Sequence, residues 1–273
     1  MLRQWNEAND LHGCWTTVRF AISKTQPGAV SGEFTLRRGE RTARVRLRAS
    51  VLPADMFRHR ILVLDSPFSG QSTTDGSHHD GWRRVVAQGQ LAVEYLSGTE
   101  LDVAELARAD AVLVAEDALR TLRDRDIARL HGFICGGGRV VVSANRFFVG
   151  TVDQANKIIE PFGLRMDDAE PSSDSARREL DDWFIIPSEF TANIDTVSIS
   201  RPSPTHLTNP TTAIPLVRLN EEDLFAAIAR TPNGGGVATL GTSLWWAWVG
   251  ENTGNEKLLL RVLTHDLKTR GER

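Results

Sequence analysis

At 273 residues the chain has room for one large domain, or a large one and a small one, with enough apolar residues to fill a core. A net charge of -3 with 25% charged residues gives no overall field that would favour nucleic acid or an anionic membrane. The longest apolar runs, Ile61 to Leu64 and Ala111 to Ala115, fall far short of the roughly 20 residues needed to cross a bilayer.

The first residues, Met1 to Glu7, are polar and lack the apolar stretch of a secretory leader. The default expectation is therefore a cytoplasmic chain, with the compartment left open if it is a piece of a secreted precursor. Cys14 and Cys135 are too far apart in sequence to suggest a disulfide framework or a metal knuckle, so both are expected to be buried free thiols.

The chain divides near residue 57. Before that point Thr16 to Ile22, Gly32 to Arg37 and Thr42 to Leu52 carry β-branched and apolar residues between Pro and Gly turn signals, which predicts a small β unit over 1–57. In the third run Ala43, Val45, Leu47, Ala49 and Val51 alternate with Arg44, Arg46 and Arg48. One face of that strand is therefore apolar and the other cationic. Three arginines without interleaved aromatics make a solvated outer face and are too little for nucleic acid.

From residue 58 onward short apolar runs alternate with longer amphipathic ones. This is the pattern of parallel strands joined by crossover helices, and it predicts an α/β domain with a doubly wound, mostly parallel sheet. Ile61 to Leu64 is the first strand, followed by a polar loop from Ser66 to Gly81. Trp82 to Leu96 is expected as one helix, on the spacing of Trp82, Val85, Val86, Ala92, Val93 and Leu96. A short helical turn over Asp102 to Ala107 precedes the strand Ala111 to Ala115, and Leu122 to Cys135 is a helix that Gly136-Gly137-Gly138 stops.

Arg139 to Val142 is the next strand and Val152 to Phe162 the next helix; Asp167 to Ser175 is an exposed acidic loop. Edge strands are expected at Phe184 to Ile186 and Thr196 to Ile199, an extended connection over His206 to Pro215, and either a hairpin-like pair at Leu216 to Leu219 and Leu224 to Ile228 or a strand followed by a helix over the second of these. Gly236 to Leu240 is the last strand and Asn255 to Leu267 the closing helix, with Leu258, Leu259, Val262, Leu263 and Leu267 at helical spacing.

This order, with Asp65 after the first strand, Asp110-Ala-Val-Leu-Val114, Gly136-Gly-Gly-Arg-Val-Val-Val142, Pro161-Phe-Gly163 and Gly234-Gly-Gly-Val-Ala-Thr-Leu-Gly241, resembles the class I glutamine amidotransferase-like superfamily over Arg58 to Leu267. It is most similar to the non-catalytic branch, which includes the domain that follows the protease domain in site-1-protease-type subtilases, and to trehalose-utilisation-like proteins. The resemblance implies a flavodoxin-like fold. Ser31 to Leu36 and Thr42 to Leu47 resemble the end of a fibronectin type III-like module, such as often precedes these domains.

The chain departs from the enzymes of that superfamily at the nucleophile. A glutaminase needs a cysteine on the tight turn after a strand, with a histidine to activate it. Here Arg139 to Val142 runs into Ser143-Ala144-Asn145, and Cys135 lies before the glycines, at a helix end. Ser143 has no Gly-x-Ser-x-Gly frame, so it is expected as a hydrogen-bonded loop serine.

In open α/β sheets ligands sit at the carboxyl ends of the strands, near the topological switch. That rule assembles a candidate ligand-binding rim from Asp65, Ser66, Ser69, Glu116, Ser143, Asn145 and Ser243. Asp65 is expected to cap its loop, and Glu116 and Asp117 to cap the helix that follows them. His78, His79 and Asp80 are the only clustered metal-ligand types and are weak candidates, since neighbours in a loop point apart. Trp245, Trp246 and Trp248 are expected partly in the core and partly at a partner interface.

The expected function is a non-catalytic binding or scaffolding module without a cofactor. Its expected partner is a protein, and the resemblance implies a subtilisin-like protease domain. The alternative is a hydrolase or carbohydrate-related enzyme of the trehalose-utilisation-like type, using the rim.

Overall fold

The buried strands of the larger unit are apolar on both faces, and successive side chains feed two separate cores. The computed structural model describes residues 2–3, 15–16, 28–38, 41–51, 57–64, 80–96, 101–146, 148–168, 178–245 and 252–267. Its contacts divide the chain into two units, Met1–Arg58 and His59–Arg273.

In the first unit β1 (Leu2–Arg3) pairs with β2 (Trp15–Thr16), and β3 (Gly28–Arg38) forms a long antiparallel hairpin with β4 (Arg41–Val51). Glu33 stands opposite Arg46 and Thr35 opposite Arg44. Arg44 and Arg46 are exposed and lie 3.8 and 3.7 Å from Glu33, a solvated charged face of the kind the alternation suggested. Residues 17–22 of the first expected strand lie outside the described residues.

In the second unit β5 (His59–Leu64), β6 (Leu91–Leu96), β7 (Ala111–Val114), β8 (Arg139–Ser143) and β15 (Gly236–Leu240) run parallel, in the spatial order β6-β5-β7-β8-β15. By position in the chain this is second-first-third-fourth-fifth, the flavodoxin-like order, with its switch point between β5 and β7. An antiparallel extension then adds β14 (Leu224–Arg230), β12 (Thr205–Leu207) and β9 (Leu164–Met166), with β13 (Ala213–Arg218) also on β14, making nine strands. The predicted hairpin is β13–β14, and the expected extended connection supplies β12 and the start of β13. A separate pair, β10 (Arg178–Leu180) with β11 (Val197–Ile199), stands off the main sheet. Phe184 to Ile186 makes only a single bridge, Ile185 to Val217.

Two-fold alternation sorts the core. Ile61, Val63, Ala111, Leu113 and Val141 join α1 (Asp80–Gly89) and α6 (Thr253–Thr264) through Trp82, Val85, Leu258, Leu259, Val262 and Leu263. Leu62, Leu64, Val112, Val114, Val140 and Val142 join α4 (Asp124–Cys135) and α5 (Thr151–Ile159) through Ile127, Leu130, Ile134, Val152, Ala155 and Ile158. Helices thus cover both faces, which is the doubly wound arrangement. α2 (Val103–Leu106) is the expected short turn, capped by Asp102, whose carboxylate accepts from the Ala104 N–H at 3.0 Å.

Residues 82–96 are not one helix. α1 ends at Gly89, Gln90 takes a left-handed φ of 49°, and Leu91–Leu96 continues as edge strand β6. Val93 and Tyr95 favour a strand, and Gly-Gln supplies the turn. At the end of α4 it is Gly137, at φ 93°, and not Gly136 that is left-handed. The two triple-glycine runs meet there. A Cβ on Gly235 would lie 2.5 Å from the Gly138 carbonyl oxygen, so only glycine lets β8 and β15 start side by side.

Two asparagines stitch helices to short strands. Asn156 of α5 accepts from the Met166 N–H and donates to the Met166 carbonyl, at 2.7 and 2.8 Å. Asn255 of α6 does the same for Ser198 of β11, at 2.8 Å in both directions.

Candidate functional site

Three neighbouring parallel strands end side by side, and each delivers a polar residue to the same point. Ala115 closes β7 by donating its N–H to the Leu64 carbonyl at 3.0 Å, and Glu116 opens α3 (Glu116–Leu119). Ser143 is the last residue of β8, and Ser243 stands three residues beyond the end of β15. The Ser243 N–H donates to Glu116 Oε1 at 2.9 Å and the Ser143 hydroxyl donates to the same oxygen at 3.2 Å. The two serine hydroxyls are 3.3 Å apart. Beside them Asn145 Nδ2 donates to Thr242 Oγ1 at 3.0 Å, and the Arg146 N–H donates to Ser203 Oγ at 2.7 Å.

The cap expected of Glu116 is not formed. The N-cap of α3 is Ala115, without a side-chain hydrogen bond, and the Glu116 carboxyl is turned across the strand ends. A residue just inside a helix can reach sideways to a neighbouring strand, and here the Ser243 main chain meets it.

Glu116, Ser143, Thr242 and Ser243 have 0% exposure and Asn145 has 1%, so this cluster is sealed from solvent. Burial pushes the Glu116 carboxyl up to about 8; hydrogen bonds from Ser243 and Ser143 partly oppose it, and the charge of Asp117 adds to it. At neutral pH the group is a neutral acid. Its carbonyl oxygen receives both donors, and Oε2 has no hydrogen-bond partner. A neutral acid offers Ser143 no base. Among the described residues the hydrogen bonds of Ser143 go to Glu116 and Ser243 and none to a histidine.

Asp65, Ser66, Ser69, His78 and His79 lie outside the described residues, as does the Asp80 side chain, although its backbone begins α1. Trp246 and Trp248 are outside as well. Trp245 is 1% exposed and belongs to the core with the α6 leucines, so of the three indoles it is one that takes the core place and not the interface place. Cys135 corrects a second expectation, because it is exposed at the end of α4.

The sequence did not point to the far side of this rim. The Gly241 N–H donates to the Phe225 carbonyl, so β14 begins where β15 ends, and Thr205 pairs with Leu224 there. His206 Nε2 lies 3.0 Å from Asp167 and 3.8 Å from Asp223 at this same end, half-exposed. The three residues come from three strand ends scattered through the chain, and no local motif announces them.

One group among the described residues has the spacing of a metal site, Glu189, His265 and Asp266. Arg230 Nη2 already contacts both carboxylates, so a cation stands between them. At that end of the sheet Arg139, 1% exposed, donates to the carbonyls of Val262 and His265 at 3.0 and 3.3 Å. The guanidiniums of Arg139 and Arg230 lie 5.9 and 5.0 Å from the centre of the Phe190 ring.

No family model and no curated protein matches the sequence. Among solved structures the chain is similar to the cytoplasmic protein STM1381 from Salmonella typhimurium LT2, at 13% identity and a TM-score of 0.48, over 89% of this chain and 97% of that one. It is similar also to the cytoplasmic protein STM3548 from Salmonella typhimurium, at 11% identity and a TM-score of 0.46, over 86% of this chain and 94% of that one. A third likeness is to the glutaminase domain of Trypanosoma brucei CTPS with bound acivicin, at 9% identity and a TM-score of 0.45, over 77% of this chain and 95% of that one.

Proposed function

We propose that the α/β unit is a non-catalytic binding or scaffolding module. The observation that carries this reading is the fate of the Ser143 hydroxyl, which donates to a buried, neutral carboxyl and meets no base among the described residues. A serine nucleophile needs a group that takes its proton and a path for its substrate. At the carboxyl ends of β7, β8 and β15 the polar side chains instead hydrogen-bond to one another and are closed to solvent. The recognition surface of this reading is the strand-end rim, with Glu116, Ser143, Asn145 and Ser243 buried beneath it as its support and Asp65, Ser66 and Ser69, which lie outside the described residues, as its proposed contact residues. Its partner is a protein, specifically a subtilisin-like protease domain, and the unit over 1–57 is its fibronectin type III-like neighbour.

A panel of amides, esters and glycosides offered to the wild-type chain and to Ser143→Ala tests the first half. The expected outcome is the same absence of turnover in both, and turnover that Ser143→Ala abolishes would overturn the reading. Titration of the purified chain with a subtilisin-like protease domain tests the second half.

One observation favours a hydrolase or carbohydrate-related enzyme as a second reading. A carboxyl held neutral at a strand end is the form in which enzymes keep a general acid. That reading requires Glu116→Gln to abolish a turnover that the wild type possesses.

A further inference from the structure

Glu116 is unusual among the buried charged or chargeable groups of this fold. Asp126 accepts from the Leu101 and Arg123 N–H groups, Glu256 meets Arg84, and Arg139 meets two carbonyls. Glu116 is met only by the neutral donors of Ser143 and Ser243, with Oε2 left without a hydrogen-bond partner. The charged residues on the described elements around it are Asp117 of α3 and Arg120 just after it, Arg146 after β8, and Asp153 and Lys157 of α5. Of these Asp117 is the one whose charge acts on Glu116, and its sign is the wrong one to favour ionisation. Its hydrogen-bond partners among the described residues are Ser143 and Ser243, and the residues beside it in the chain and beside Ser143, Ala115 and Ala144, are apolar and buried.

An uncharged carboxyl fits this pocket, and a carboxylate does not. With the proton on Oε2, Oε1 is a carbonyl oxygen that accepts the Ser243 main-chain N–H. Without the proton, a full charge sits where one oxygen has no donor at all, which is costly in a dry interior. The relief nearest at hand is to let water in by moving the segment that Glu116 holds. That segment is otherwise tied at its two ends, where Gly241 bonds to Ser203 and Phe225 and Leu244 packs into the core and accepts from Asn255, and by Asn145 to Thr242 in between.

We propose that Glu116 is a proton-held latch: as a neutral acid it keeps Gly241 to Leu244 closed on the ends of β7 and β8, and losing the proton is what lets that segment open. The device places a pH-sensitive element at the carboxyl-end rim. It stands whether or not the rim recognises a protein, because it depends only on the network inside.

Hydrogen exchange of the full chain between about pH 5 and 9, corrected for the intrinsic base catalysis of exchange, reads the opening directly. Opening of the 241–244 peptide is expected to grow roughly tenfold per pH unit up to about 8 and then level off, as loss of one proton requires. The Ala111–Val114 peptide of β7 serves as the reference for global unfolding and is expected to stay protected. In Glu116→Gln the 241–244 peptide is expected to show no such rise. Infrared spectroscopy of the wild type alone adds a reading that needs no variant, a protonated-carboxyl band at neutral pH that fades in alkali. A flat pH response of 241–244 in the wild type, the same rise in Glu116→Gln, or the absence of a protonated-carboxyl band at neutral pH would each overturn the proposal.

Discussion

Strand β8 has a buried ionisable environment at each end, and the two ends are built on opposite rules. At its start, burial and the charge of Arg230 pull the Arg139 guanidinium down to about 10, with Asp266 opposing them, so it stays charged at neutral pH. The last carbonyls of α6 and the face of Phe190 receive that charge. At its finish, Ser143 helps hold Glu116, which keeps its proton because burial penalises the carboxylate and, among the described residues, no positive charge acts on it. The lesson is that burial alone does not decide ionisation. The amino end is a charged lock with partners prepared for it, and the carboxyl end is held neutral and is correspondingly sensitive to alkali.

The largest effect that can break this contrast is at Glu116. Its folded value is raised above the ordinary 4.5, so the stability it allows is complete below about 4.5 and is lost progressively as the pH rises towards about 8. Glu116→Gln removes that loss, and by pH 9 the variant should be more stable than the wild type by on the order of 5 kcal/mol. Urea denaturation at several pH values checks both the sign and the window; a wild type whose stability does not fall between those limits would erase the contrast.

Next in size is Arg139→Met, which strands the carbonyls of Val262 and His265 beneath the sheet. A loss of about 3 kcal/mol is expected, read by the same denaturation and little changed between pH 6 and 8. The smallest effect sharpens the account of how Arg139 stays charged. Asp266 is half-exposed, so Asp266→Asn should cost less than about 1 kcal/mol if the helix carbonyls carry most of the interaction. A loss comparable to that of Arg139→Met would give the role to the carboxylate instead.

The parallel half of the sheet was legible because each of its inner strands is apolar on both faces and is followed by a helix whose apolar residues recur at helical spacing. Ile61 to Leu64, Ala111 to Ala115 and Arg139 to Val142 carry that signal without ambiguity. The β6 edge was hidden, because Ala92, Val93 and Leu96 also continue the spacing set by Trp82, Val85 and Val86. Only the Gly89-Gln90 turn separates the two readings. β9 and β12 are three residues long and too short to show any period.

The general position of the rim was legible from topology, since strand ends are where such sheets present side chains. Its chemistry was not. Glu116 reads locally as a helix cap, and the residue that makes it something else, Ser243, is 127 positions away. His206 likewise gains its meaning from Asp167 and Asp223, which only the antiparallel extension brings beside it.

The asparagines of α5 and α6 carry a consequence for the short strands they touch. Each amide imitates one residue of a missing neighbour strand, giving and taking a main-chain hydrogen bond with Met166 or Ser198. Aspartate has nearly the same shape but nothing to donate, so Asn→Asp at either site would set an acceptor against a carbonyl oxygen. Loosening would then spread from a helix into the sheet margin without any apolar contact having been removed.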